Sequence, residues 1–146
     1  MPLETSFNEP NDNPGFLLWR VTNAWQRQIR ASLEPLDLTH VQFVLLASLA
    51  WLSKTETIIQ QVKLAQHANT DVMMTSQVVR TLETKQYLER HSDPTDARSK
   101  LLSITPAGLA LVNRAIKAVE AVDQHFFAKL EHSKEFARDL KTLLEE

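Results

Sequence analysis

The sequence predicts a mainly α-helical chain with one small β wing, and three observations carry that prediction. Apolar residues recur at steps of three and four along most of the 146 residues. Only two glycines occur, so turns are few. One stretch, Tyr87 to Ile104, abandons the helical period for two short alternating runs around a polar turn. The expected architecture is a winged helix-turn-helix lobe at about 37–105, flanked by helices at about 14–34 and 106–146 that serve dimerisation.

Met1 to Asn13 is rich in Asn, Glu and Pro, with Leu3 and Phe7 as its large apolar residues, and is expected to be a flexible arm. Asn13 then suits an N-cap and Pro14 the first helical position, where proline sacrifices no intrahelical bond. Leu18, Val21, Trp25, Ile29 and Leu33 make the stripe of this first helix, and Phe16, Leu17 and Trp19 widen it beyond one packed face. A second helix should start at Thr39, which with Gln42 forms a capping box, while Leu38 can staple against Phe43. Nearly every residue from Val41 to Leu52 is apolar, so this helix should be surrounded. Thr57 with Gln60 can serve as a capping box for the next helix.

Gln60 to His67 carries Val62, Leu64, Ala65 and Ala68 at helical spacing, and three polar residues later a second helix runs from Asp71 to about Lys85. Val72, Thr75, Val79 and Leu82 make its expected buried stripe. Helix, tight turn, helix is the helix-turn-helix pattern. Two strands follow, Tyr87 to His91 and Lys100 to Ile104, with Ser92, Asp93, Pro94, Thr95 and Asp96 as turn chemistry between them. Thr105-Pro106 repeats the cap-then-proline signature. The next helix shows Leu109, Val112, Ile116, Val119, Phe126 and Leu130 on one stripe, with Leu111, Ala115, Ala118 and Val122 beside it. A last helix from about Lys134 carries Phe136, Leu140, Leu143 and Leu144. These terminal helices are too apolar for solvated rods, which points to self-association.

With no cysteine, disulfides and thiol-based oxidant sensing are excluded. The net charge of −2 hides a slight asymmetry, +1 between Gln60 and Leu101 and −3 elsewhere, which has the sign that DNA requires. No apolar run approaches membrane-spanning length and no leader pattern opens the chain, so a cytoplasmic protein without membrane contact is expected. His40, His67, His91, His125 and His132 show no ligand spacing, and no nucleophile triad, phosphate loop or catalytic carboxylate pair emerges. Neither metal, cofactor nor enzymatic activity is expected.

The outer side of the second helix of the pair holds Met73, Met74, Ser76, Gln77, Arg80, Thr81 and Thr84. Glutamine can pair with adenine, arginine with guanine or phosphate, serine with either, and methionine can meet a thymine methyl. The same residues would also make an ordinary solvated face. Asp71, at the mouth of the helix, is read as a cap, because a carboxylate there would repel phosphate. Gln61 and Lys63 on the preceding helix, and Lys100 and Arg90 beside the wing, can reach the DNA backbone. Arg98, near the wing tip, suits a narrow minor groove, whose negative potential attracts guanidinium; its alternative is a weak surface pair with Asp96.

Asp93-Pro94-Thr95-Asp96-Ala97-Arg98-Ser99-Lys100, followed by Leu-Ser-Ile-Thr-Pro-Ala-Gly, resembles the MarR (multiple antibiotic resistance regulator) family of transcription regulators. Leu64-Ala65, Leu82-Glu83 and Leu38-Thr39-His40-Val41-Gln42-Phe43 share in the resemblance, which extends from about Phe16 to the C-terminus. It implies a homodimer interlocked through the first, fifth and sixth helices, double-stranded DNA as partner, repression at near-palindromic sites, Asp96 orienting Arg98, and a third short strand at Thr57 to Ile59 as the alternative to the capping box there. It also implies a small aromatic acid as effector, for which Trp19, Trp25, Phe43 and Trp51 are the candidate pocket; the alternative for these four is plain core packing. One departure stands out: Gln86 occupies the place of the family's glycine after the second helix, where positive φ is often needed. The rival readings are a winged helix reused for protein interaction, and a small-ligand dimer without DNA binding.

Overall fold

The computed structural model describes residues 1–145, in the order α1 (Pro14–Leu33), α2 (His40–Leu52), β1 (Ile59–Gln60), α3 (Gln61–Ala68), α4 (Val72–Thr84), β2 (Leu88–Asp93), β3 (Asp96–Ile104), α5 (Pro106–Phe127) and α6 (Ser133–Leu144). Short 3-10 turns at Pro10–Asp12 and Glu34–Leu36 precede and follow α1. The helix starts obey their sequence signals. Asn13 accepts from the Gly15 amide ahead of Pro14, Thr39 and Gln42 complete a capping box, and Thr105 accepts from the Gly108 amide ahead of Pro106.

One core joins the elements. Ile29 and Leu33 of α1, Leu45, Leu46 and Leu49 of α2, Ile59, Leu64, Val79, Leu82, Leu88 and Leu102 of the lobe, and Leu111, Val112, Ala115 and Val119 of α5 are all buried in it. Helix α2 packs on α1, α3, α4, α5 and β3, which accounts for its nearly unbroken apolar run, although Trp51 at its end is exposed.

The three strands form an antiparallel sheet in the order β1-β3-β2, with Ile59 opposite Leu102 and Leu88 opposite Ile104. Of the two readings of Thr57 to Ile59 the strand prevails, shifted to Ile59–Gln60; Gln60 caps α3 without a side-chain bond. The wing is longer than its alternation suggests. Its strands run to Asp93 and restart at Asp96, leaving Pro94-Thr95 as the tip. The polar residues assigned to the turn therefore belong partly to the strands, because Asp93 closes the tip locally: its carboxylate accepts from the Thr95 amide at 2.9 Å and hydroxyl at 2.7 Å. Those bonds hold the Asp93 carboxyl below its ordinary range.

Three stripes need correction. Val72, assigned to the buried side of α4, is exposed, because it is the first residue after the Asp71 cap and no turn lies above it. On α5, Leu109 faces outward and Leu130 falls beyond the helix end at Phe127. On α1 the stripe is buried from Ile29 onward, while Phe16, Leu17, Leu18, Trp19 and Val21 stand exposed. Helix α6 buries none of its residues; Phe136 meets Phe127 at 5.9 Å, but Leu140, Leu143 and Leu144 are open. No single described helix is long and apolar enough to cross a membrane.

Candidate nucleic-acid interface

The helix pair is set by its turn. Asn69 ends α3 with φ of 54°, a left-handed conformation that asparagine tolerates better than most residues. Two residues on, Asp71 caps α4 by accepting from the Met74 amide at 2.7 Å. The buried Thr75 locks the two together, since its hydroxyl donates to the Asp71 carbonyl at 2.7 Å and lies 2.6 Å from the Thr70 hydroxyl. At the other end Gln86 adopts φ of 67°, while its amide bonds to Glu83 and that of Tyr87 to Leu82. This is a Schellman closure with glutamine in the glycine position. The backbone thus takes the left-handed turn despite the side chain, and β2 begins two residues later at Leu88.

Thr75, Val79 and Leu82 anchor α4 in the core, so the opposite side of the helix must face out. Met73, Met74, Gln77, Arg80, Thr81 and Thr84 are exposed and Ser76 is partly so. A methionine 76 % exposed gains nothing from solvent, so Met73 is an anomaly on a free surface and apt on a binding one.

Arg98 projects from β3 with its side chain 95 % exposed. Asp96 holds the backbone beneath it, accepting from the Arg98 amide at 3.0 Å, while its carboxylate stands 3.7 Å from the Arg98 guanidinium. A groove of about 420 Å³ separates this part of the wing from α3 and the first turn of α4, with Gln61, Val72, Thr75, Arg98, Ser99 and Lys100 on its walls. The structure thereby brings Arg98 and Lys100 to one rim and the start of α4 to the other.

The remaining basic candidates differ. Lys63 is engaged by Glu56 at 2.7 Å and Arg90 by Glu83 at 3.5 Å, so either must exchange a carboxylate to reach a phosphate. Helical spacing misses Val72 as a groove residue, although its place directly after the Asp71 cap is a signal that could have found it. Gln61 is on the groove wall, but its side-chain carbonyl oxygen is buried without a hydrogen-bond partner, which no sequence pattern reveals.

The four aromatics of the candidate effector pocket are spread out. Trp19 and Trp51 are exposed, Lys54 lying 4.3 Å from the Trp51 ring; Phe43 is partly buried against the core. Trp25 alone sits at a junction of α1, α2 and α5. Its indole donates to Asp123 at 2.7 Å and its ring meets His40 edge-on at 5.2 Å. Burial, reinforced by the nearby Arg30 charge and opposed by Asp123, lowers the His40 pKa.

Comparison with known proteins agrees with this geometry. Residues 38–100 match the model of the MarR family. The chain is 44 % identical over 144 residues to an uncharacterised HTH-type transcriptional regulator of Bacillus subtilis, covering 99 % of this chain and 98 % of that one. It is 32 % identical over 131 residues to an HTH-type transcriptional repressor of Mycobacterium tuberculosis, with 88 % and 91 % covered. Its structure resembles that of a mutant MarR from E. coli complexed with operator DNA, with a TM-score of 0.80, 25 % identity, and coverage of 96 % and 100 %.

Proposed function

The chain belongs to the MarR family of transcription regulators, and from that premise we propose that it acts as a homodimeric, cytoplasmic repressor on near-palindromic DNA. In this reading 37–105 reads DNA, 14–34 and 106–146 join two copies, and 1–13 is a flexible arm. Each protomer lays α4 in a major groove, offering Met73, Met74, Ser76, Gln77 and Arg80 to base edges and phosphates. Arg98, oriented by Asp96, enters the flanking minor groove, and Lys100, Lys63 and Arg90 reach the backbone. Two-fold symmetry sets the half-sites about one helical turn, ~10 bp, apart.

The observation that carries this reading is an outward, partly apolar α4 face whose first turn stands across one groove from a nearly fully exposed Arg98. Selection of bound duplexes from random DNA tests it. A symmetric site should emerge, with binding that weakens steeply as salt rises. Arg98→Ala should cost about 1–3 kcal/mol of binding, most of it on sites with a narrow A·T-rich flank. Absence of any salt-sensitive duplex binding would favour a protein-interaction module instead.

Effector control is the second reading, favoured by the Trp25, His40 and Asp123 junction where α1 and α5 meet the lobe. A small aromatic acid bound there would act by changing the spacing of the two lobes, since DNA accepts one spacing well.

A further inference from the structure

A strongly charged concavity lies apart from the α4 face and the wing. It is a shallow cleft of about 630 Å³ at the corner where α1 turns into α2. Arg27 and Arg30 line it from α1, Glu34 and Asp37 from the corner, Thr39 from the cap of α2, and Lys85 from the C-terminal end of α4. Lys85 is tethered, donating to the Asp37 carbonyl at 3.0 Å and lying 3.4 Å from its carboxylate. Arg27 and Arg30, three residues apart on one helix face, are exposed, and among the described residues neither has a carboxylate partner. They are the surplus charge of the cleft.

Position gives that charge its meaning. The wing, with Arg98, faces the first turn of α4 across the groove lined by Val72 and Thr75. The cleft abuts the last turn of the same helix through Lys85. Helix α4 has 13 residues, a length of roughly 20 Å, so cations flank both of its ends. A major groove is bordered by two sugar-phosphate strands, and a helix entering it at an angle brings each of its ends toward one of them. The wing serves one of them. Toward the other end the α4 face carries no cation after Arg80, and Arg90 of the wing reaches a phosphate only by leaving Glu83.

We propose that Arg27 and Arg30 bind the DNA sugar-phosphate backbone at the end of each half-site opposite the wing, clamping the reading helix from its C-terminal side without reading bases. The proposal rests on the DNA-binding reading and extends its footprint to the α1–α2 corner. Because α1 also belongs to the dimer helices of that reading, the clamp would couple the position of the dimer base to that of the DNA.

The test uses the full-length chain, a duplex obtained from it by random selection, and an unrelated duplex of equal length, with affinity followed as salt is varied. Arg27→Ala/Arg30→Ala should weaken both duplexes in similar proportion and flatten the log–log salt slope by about 0.9 for each phosphate no longer neutralised. Ethylation interference should disappear at one end of each half-site only, and Arg27→Lys/Arg30→Lys should keep most of the slope. Thermal melting and sedimentation establish that the variants keep fold and dimer state. A double variant with the wild-type slope overturns the proposal, as does a loss confined to the selected duplex. A wild-type chain that binds neither duplex sinks the DNA-binding reading itself, a result distinct from a double variant that binds as wild type does.

Discussion

Gln86 shows how one side chain can be carried against its preference. A left-handed residue other than glycine is strained by roughly 1–2 kcal/mol, yet Gln86 holds φ of 67° because its surroundings leave no alternative. The Gln86 carbonyl accepts from the Thr105 hydroxyl at 2.8 Å, and the Tyr87 carbonyl accepts from the Thr105 amide. Gly108 lies so near the Tyr87 carbonyl that a Cβ there would overlap it. Gln86→Gly should therefore stabilise the chain by about 0.5–1 kcal/mol, the relieved strain less the extra freedom of glycine in the unfolded state; urea melts of the two proteins decide it. His40 makes a second residue-level prediction. Its folded pKa is lowered, chiefly by burial, so the unfolded chain takes up the proton first as pH falls. Stability is then full above the ordinary histidine range and declines as pH drops from it toward the folded value. His40→Asn should flatten that decline in denaturant midpoints measured between about pH 5 and 8.

For the elements, the local signals and the tertiary ones divide cleanly in α4. The cap at Asp71, the buried Thr75, Val79 and Leu82, and the outward Met73, Gln77 and Arg80 all follow from spacing. Val72 does not, because a period describes faces but not where the first turn finds a neighbour. Asp71→Ala should lower stability by about 1 kcal/mol. It also removes a negative charge from the mouth of the helix, so DNA affinity of the folded fraction should hold or rise. A thermal melt combined with a binding isotherm separates the two effects; a fall in affinity at full folding would mean that Asp71 meets DNA directly. The wing behaves similarly. Its hairpin is legible from turn residues, but its length depends on Asp93 folding the tip within two residues, which alternation does not register.

Across the molecule, the uncovered apolar surface is the dominant fact. The first half of α1 and the outer side of α6 present Leu18, Trp19, Val21, Leu143 and Leu144 to solvent, outside the buried core. Large apolar side chains left open on two helices are characteristic of an interface. A second copy covering it yields a dimer in sedimentation at micromolar concentration, and Leu18→Glu with Leu143→Glu should give folded monomers. Because two linked half-sites bind far more tightly than one, monomers should lose on the order of 10²-fold or more of operator affinity. Monomers that bind as well as wild type would refute the dimeric reading.

Periodicity, caps and turn residues were enough to place the six described α-helices, the hairpin, the outward side of α4 and the exposed wing arginine, since each depends on chemistry within a few neighbouring positions, whereas the 3-10 turns at Pro10–Asp12 and Glu34–Leu36 were not foreseen. Packing between distant segments decided the rest. Ile59 joined the sheet because Leu102 was there to pair with it, Lys63 and Arg90 met carboxylates, and the four aromatics dispersed instead of lining one pocket. The charged corner arose where Arg27 and Arg30 came to lie beside Lys85, more than fifty residues away in the chain. Spacing along a chain specifies which side of an element a residue occupies, whereas its partner there depends on how the elements pack.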